Sequence, residues 1–384
     1  MPNPLRVAQI DTPPGVIDLG RGDPQFALLP LEMLHRAAQN RLTQKDNAFL
    51  QYGAEQGDGY FRLALADFLS DGYGFDVDPE TLFITAGISS ALDLLCTLFT
   101  KWGDTVLVEE PSYFLALRIF ADHGLQVVSL PTDASGLSID GLDHVLRRHR
   151  PKFLYLIPAF QNPSGHTLTE ERRQRLLALA HEHNLLVIAD EVYQLLSYTL
   201  QPPRCFGAYT EHTNVISLGS FSKILAPGLR LGWIQANANI IKQLAGCGLL
   251  DSGGGMNPFT SAIVRGVIET GDLKQNIALL VQVYAARVKA MDESLRRHLA
   301  PKVLKGQAEF VTPQGGYFFW VRLPGIDAPE LRKRAAAHQV DFRPGNLFSS
   351  QAGLRDYLRL GISFYDTDDL REGVQRLQHC INAS

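Results

Sequence analysis

The chain has 384 residues, 45% hydrophobic and 20% charged, with 36 Lys and Arg against 40 Asp and Glu and a formal net charge of −4. This suits a large domain with a smaller one, rules against a disordered chain, and offers no concentrated basic face for nucleic acid. No run of about 18 apolar residues is present, so no membrane span is expected. The four cysteines, Cys96, Cys205, Cys247 and Cys380, form no CxxC pair; they read as reduced thiols of a cytoplasmic protein, and no metal set is expected. Residues 1–14 hold one arginine and no long apolar run, so no signal peptide is expected, and the sequon Asn382-Ala383-Ser384 reads as chance.

Residues 1–45 are mixed. Within them Val16-Ile17-Asp18-Leu19-Gly20-Arg21-Gly22-Asp23-Pro24 reads as a short strand entering a Gly/Pro loop, where backbone can approach a substrate or pack on a neighbour. A helix is predicted over 61–73. From residue 81 the pattern is regular, with strands over 81–85, 105–109, 125–130, 153–157, 185–189, 214–218 and 229–235. Between them lie helices over 89–102, 113–123, 139–148 and 169–182, the last with Thr169 as N-cap, and a helix over 240–249 follows. The strands are continuous apolar runs, which between helices mean a mostly parallel sheet covered on both faces. Ligands then sit beyond the carboxyl ends of the strands. A helical stretch over 259–299, broken near Gly271, leads to an α+β unit. That unit has strands over 308–311, 317–321, 340–342 and 357–362 and helices over 329–338 and 368–381, with Thr367 as the last N-cap.

The polar residues that stand out fall near the ends of these strands. Gly87, Ile88 and Ser89 open a helix after a strand, where glycine and free N–H groups make an anion site. Tyr113 could stack on a planar ring or fill the core. Asn162 lies in Gln161-Asn162-Pro163-Ser164-Gly165, also readable as a plain turn. Asp190 ends the apolar run 185–189; its partner is a helix N-terminus or a pyridinium N–H, with Tyr193 three residues on. Arg359 sits inside an apolar strand, paired with a substrate carboxylate or an internal acid.

The most telling stretch is Ser220-Phe221-Ser222-Lys223-Ile224-Leu225-Ala226-Pro227-Gly228-Leu229-Arg230. A lysine in apolar surroundings has its charged form disfavoured, as a Schiff-base amine needs. Two hydroxyls and a guanidinium beside it are what a phosphate requires. Pyridoxal 5'-phosphate (PLP) combines an aldehyde with such a phosphate. The plainer reading is a lysine reaching from a strand–loop–strand to solvent.

Taken together, Asn162-Pro163-x-Gly165, Asp190-Glu191-x-Tyr193 and Ser220-x-Ser222-Lys223-x6-Arg230 resemble the fold-type I PLP-dependent aminotransferases of class I/II. The similarity runs from Gly22 to Phe364 and is nearest the kynurenine/2-aminoadipate and aromatic branch, with the aminotransferase-like domains of MocR-type regulators. It implies an α/β PLP-dependent transferase fold, divided into an arm (1–45, packing with the small domain and substrate side), a large PLP-binding domain (46–285) and a small α+β domain (286–384). It implies that Lys223 carries the cofactor, Asp190 pairs the ring nitrogen, and Asn162 and Tyr193 reach the ring oxygen. Tyr113 would stack on the ring. Gly87, Ile88, Ser89, Ser220, Ser222 and Arg230 would hold the phosphate with Tyr52 of the partner subunit, making a homodimer. Arg359 would bind the substrate α-carboxylate, with Gly22 and Asn162 lining the substrate side.

The implied activity is transfer of an amino group between an L-amino acid (aromatic, 2-aminoadipate-like or branched) and a 2-oxo acid, 2-oxoglutarate foremost. A lyase, decarboxylase or cyclase on the same cofactor is the alternative. A ligand-sensing regulator would need a winged helix, for which the residues before Val16 leave no room. Ile88 departs from the branch, where a hydroxyl is common. The roles of Gly253-Gly254-Gly255 and of Arg21 and Asp23 are not legible from sequence.

Overall fold

The computed structural model describes residues 9–10, 12–199, 202–211, 214–299 and 308–383, so part of the 1–14 leader reading and Ser384 of the sequon lie outside the described residues. The strands are β1 Ile17–Asp18, β2 Leu82–Thr85, β3 Thr105–Glu110, β4 Gln126–Asp133, β5 Gly136–Leu137, β6 Phe153–Leu156, β7 Leu186–Asp190, β8 Val215–Ser220 and β9 Gly232–Gln235. They are followed by β10 Phe318–Arg322, β11 Val340–Asp341, β12 Arg343–Pro344 and β13 Tyr357–Gly361.

An 8-stranded sheet runs in the order β2-β9-β8-β7-β6-β3-β4-β5. β8, β7, β6, β3 and β4 pair in parallel, and β9 lies antiparallel to both β8 and β2. β2 therefore points the same way as β8. The carboxyl ends of β2, β3, β6, β7 and β8 open on one edge, and the site is built there.

The sequence makes this sheet because both its faces are covered. β6 (Phe-Leu-Tyr-Leu) and β8 (Val-Ile-Ser-Leu-Gly-Ser) are buried along their whole length. Val108, Phe153, Tyr155, Ile188 and Ile216 join one apolar cluster, and Leu107, Leu154, Leu156, Val187 and Val215 the other. Alternate residues thus serve opposite layers, each large apolar side chain contributing about 2 kcal/mol of burial.

A 3-stranded antiparallel sheet, β10-β13-β12, lies near the carboxyl terminus, and β1 pairs in parallel with β11. Segment 17–18 is thereby tied to 340–341. The helix Asp272–His298 leads toward this part of the chain.

Some local expectations differ from the structure. Leu31–Thr43, within the stretch read as mixed, is a helix lying against the helix Pro258–Glu269. The helix expected over 240–249 is two, Ala238–Ala245 and Gly248–Gly253, because Gly246 ends the first. No strand forms over 308–311; Glu309 makes a lone bridge to Arg322, on the edge of β10 away from β13. Thr367 is the first helical residue of Thr367–Asn382, and the Asp366 carboxylate caps it by accepting from Asp368 N and Asp369 N. A carboxylate there also meets the positive end of the helix dipole. Thr169 occupies its cap position without a side-chain cap bond. Among the described residues no helix is long and apolar enough to cross a membrane.

Candidate active site

β8 delivers Ser220, and the turn after it brings Lys223 into the cleft. Lys223 Nζ donates to the Gly22 carbonyl at 2.6 Å and lies 5.4 Å from the Tyr317 ring centroid. Burial pulls its amine down to about 8, with the Asp23 and Asp190 carboxylates opposing and Arg359 and Arg230 assisting. Near neutral pH a useful share of the amine is therefore an unprotonated nucleophile.

One strand over, β7 ends on Asp190, which is buried. Burial raises its carboxyl to about 6, against the Tyr155 hydroxyl and the Val192 N–H, which favour the ionised form. Tyr155 Oη donates to Oδ2 at 2.8 Å and Val192 N to Oδ1 at 3.2 Å. Two donors, neither charged, leave a buried carboxylate suited to a cationic N–H. Tyr193 is buried against Tyr317 and Phe318, and its hydroxyl has no hydrogen bond among the described residues.

Arg359 arrives from the other sheet, on β13, and is buried beneath the cleft. Its Nη1 donates to Asn162 Oδ1 at 2.8 Å and its Nη2 to the Gly20 carbonyl at 2.8 Å. Among the described residues Nε is buried without a partner. The guanidinium lies 3.9 Å from the Phe318 ring centroid and 5.0 Å from that of Phe348. Burial lowers it to about 10, so it stays cationic at neutral pH. Among the described residues no carboxylate is among its hydrogen-bond partners, so it has the chemistry to pair with an incoming one.

The corner near β2 gathers a helix start, two hydroxyls and a guanidinium. Gly87 caps the helix Ile88–Phe99 at φ 87, and a Cβ there would come within 2.9 Å of Arg230 Nη2. Ser220 Oγ donates to Ser222 Oγ at 2.9 Å. Arg230 donates to the Pro227 and Ala86 carbonyls, both at 3.2 Å. Ser89 is exposed at the helix start; Tyr52, in the loop before Gly53, is 80% exposed. Tyr113 opens the helix Phe114–Asp122, its ring edge-on to Phe114. Burial pushes its hydroxyl up to about 12, with Asp190 adding to the shift.

The glycine-rich loop and the Arg21/Asp23 pair find their places here. Gly255 bridges Gly53 in antiparallel fashion, with Gly255 N donating to Gly53 O at 2.9 Å. Asn257 Nδ2 donates to the Arg230 carbonyl. The loop thus ties Tyr52-Gly53 to the turn bearing Arg230. Arg21 is buried, its guanidinium over the Phe364 ring at 3.4 Å and bonded to the Asp23 carboxylate and to Thr12. Arg21 and Asp23 are therefore an ion pair around Gly22.

Sequence reasoning missed Tyr155, Gln161 and Glu109. Gln161 Nε2 donates to Pro111 O at 2.7 Å, and its Oε1 accepts from Ser164 N and Oγ. It joins the turn before Tyr113 to the loop carrying Asn162. Glu109 Oε2 accepts from Ile157 N at 2.9 Å and holds the start of the same loop. Burial raises its carboxyl to about 8. An acid at the end of an apolar strand was the available signal for Glu109; Tyr155 in an apolar run looks like core.

Residues 14–377 match the family "Aminotransferase class I and II". The chain is 33% identical over 374 residues to an aromatic-amino-acid aminotransferase of Thermococcus litoralis, covering 95% of this chain and 88% of the relative. It is similar to the multiple substrate aminotransferase of Thermococcus profundus, with a TM-score of 0.89, 32% identity and 96% and 92% of the two chains covered. It is also similar to the alpha-aminoadipate aminotransferase of Thermus thermophilus, solved with N-(5'-phosphopyridoxyl)-L-leucine. There the TM-score is 0.87 at 31% identity, over 96% and 93% of the two chains.

Proposed function

The chain belongs to the class I and II aminotransferases and is a PLP-dependent enzyme of amino-acid transamination, and from that premise we propose how its own residues divide the work. Among the described residues the donor set fits the cofactor: an amine lowered by burial, a buried carboxylate with no cationic hydrogen-bond partner, a tyrosine hydroxyl without a partner and a glycine-lined corner.

Lys223 is the residue that carries PLP. Asp190 would pair the ring nitrogen, Asn162 and Tyr193 would serve the ring oxygen, and Tyr113 would stack on the ring. Gly87, Ile88, Ser89, Ser220, Ser222 and Arg230 hold the phosphate, with Tyr52 of the partner subunit. When bound, PLP supplies an aldehyde for an amine and a ring that takes up the electron pair left at the substrate Cα. Arg359 grips the α-carboxylate and so aims the Cα–H bond. The Lys223 amine, held beside the Gly22 carbonyl, would take the Cα proton at Nζ. Gly22 and Asn162 border the substrate.

The donor is an aromatic, 2-aminoadipate-like or branched L-amino acid, and 2-oxoglutarate the acceptor. Phe318 and Phe348 on the Arg359 side support an apolar component. We place the protein in the cytoplasm as a homodimer without nucleic acid, divided into an arm (1–45), a large domain (46–285) and a small domain (286–384). Exposed Leu50, Tyr52, Tyr60 and Leu249 support a covered face, and four free cysteines a reducing compartment.

The observation that carries the reading is the Lys223 amine, lowered by burial and coupled to both Asp190 and Arg359. Lys223→Ala tests it: turnover of amino acid should disappear. Undiminished turnover by that variant would overturn the reading.

A further inference from the structure

We infer that Tyr155 is a positioning residue for Asp190, holding its carboxylate ionised and in one orientation for the cofactor's ring nitrogen without touching the cofactor itself. This rests on the reading of Asp190 given above.

The placement follows from strand register. Tyr155 on β6 pairs with Ile188 on β7, and Asp190 lies two residues further along. Residues two apart share a face, and a diagonal neighbour is within reach of a long side chain. The outcome is the 2.8 Å bond from Tyr155 Oη to Asp190 Oδ2, between two buried groups.

Packing alone does not call for that hydroxyl. The Tyr155 ring meets Phe120 edge-on at 5.6 Å, and Phe153 lies 5.5 Å from the same Phe120 ring. A phenylalanine would satisfy those aromatic neighbours equally well. The hydroxyl spends its single proton on Asp190, whose other donor is the Val192 N–H. Burial holds the Tyr155 phenol well above its usual range, so it remains a donor across the working pH range. The other titratable groups near it fit that role. Glu109 is raised to about 8 by burial and is largely neutral at pH 7, and Tyr113 is raised to about 12. Neither competes as an anion for the Tyr155 proton.

The consequence is chemical. A buried carboxylate that loses a donor becomes a better base, and a proton shared with a ring nitrogen moves toward it. The ring would then be a weaker acceptor of the Cα electrons. Tyr155 therefore acts on the reaction through Asp190 alone.

The test uses four full-length proteins reconstituted with PLP: the parent, Tyr155→Phe, Asp190→Asn and the double variant. Three properties are read: the PLP dissociation constant by fluorescence, the pH midpoint of the visible absorption band, and the rate of the half-reaction with an amino acid. Tyr155→Phe should weaken PLP retention and slow the half-reaction by about fivefold to thirtyfold. It should move the midpoint in the same direction as Asp190→Asn, by less. On the Asp190→Asn background it should add less than about twofold, because its only route is gone.

A Tyr155→Phe protein with parental retention and midpoint would overturn the inference, even if its melting temperature had fallen. So would a loss repeated in full in the double variant. If Asp190→Asn itself behaves as the parent, the reading of Asp190 fails, and the inference with it.

Discussion

Arg359 on β13 donates to Asn162 Oδ1 at 2.8 Å, joining the 3-stranded sheet to the loop after β6. This bond connects two residues 197 apart in sequence and sets a buried cation beside the cleft that holds Lys223.

That relationship predicts the behaviour of Arg359→Lys. An ammonium cannot serve Asn162, Gly20 and a substrate carboxylate with the geometry of a planar fork. The variant should keep its visible cofactor band while kcat/KM for the amino acid falls by about 10- to 100-fold. Steady-state kinetics with the absorption spectrum as control will check this.

Asp23 is the largest of the charges that raise the Lys223 amine against burial. Removing that negative charge in Asp23→Asn disfavours the ammonium, so the amine should titrate below the parent's value of about 8. The rate at which apoenzyme takes up PLP, followed against pH, reports the unprotonated amine. Its midpoint should move to lower pH in the variant.

Glu109 makes a prediction about stability. Burial raises its carboxyl from 4.5 to about 8. Between those values the folded protein holds a proton that the unfolded chain has released. Its stabilising contribution is therefore full below 4.5 and is lost as pH rises through about 8. Glu109→Gln keeps an oxygen acceptor for Ile157 N but cannot ionise. Its melting temperature should match the parent's at pH 4 and exceed it by several degrees at pH 9; thermal melts at the two pH values decide.

Gly255 and Gly254 lie so close to the 53–54 backbone that an added Cβ would strike the Ala54 and Gly53 carbonyls. Gly255→Ala should destabilise the protein by about 2 kcal/mol and displace the Tyr52 segment. Thermal melts and PLP retention through dialysis should both fall.

Much of this was legible because burial leaves a plain record in sequence. Runs such as Leu185-Leu186-Val187-Ile188-Ala189 announce a strand covered on both faces, and Asp190 or Arg359 stands out as a charge such a run must explain. The residues that escaped have ambiguous side chains or distant partners. Tyr155 fits an apolar strand as well as Phe153 does, and only the register of β6 on β7 shows whom its hydroxyl serves. Gln161 reads as a loop residue until Pro111 is seen beside it. The helix Leu31–Thr43 buries only Ala37 fully, so its apolar stripe is faint. The strand expected over 308–311 amounts to a single bridge from Glu309 to Arg322, on the edge of β10 away from β13.

The most direct measurement is the absorption spectrum of the purified protein, taken before and after adding a panel of amino acids with no 2-oxo acid present. The account predicts a visible band from PLP held by Lys223. Aromatic, 2-aminoadipate-like or branched donors should convert it to the near-ultraviolet band of pyridoxamine phosphate. No visible band after addition of PLP, or a band that no amino acid converts, would contradict it.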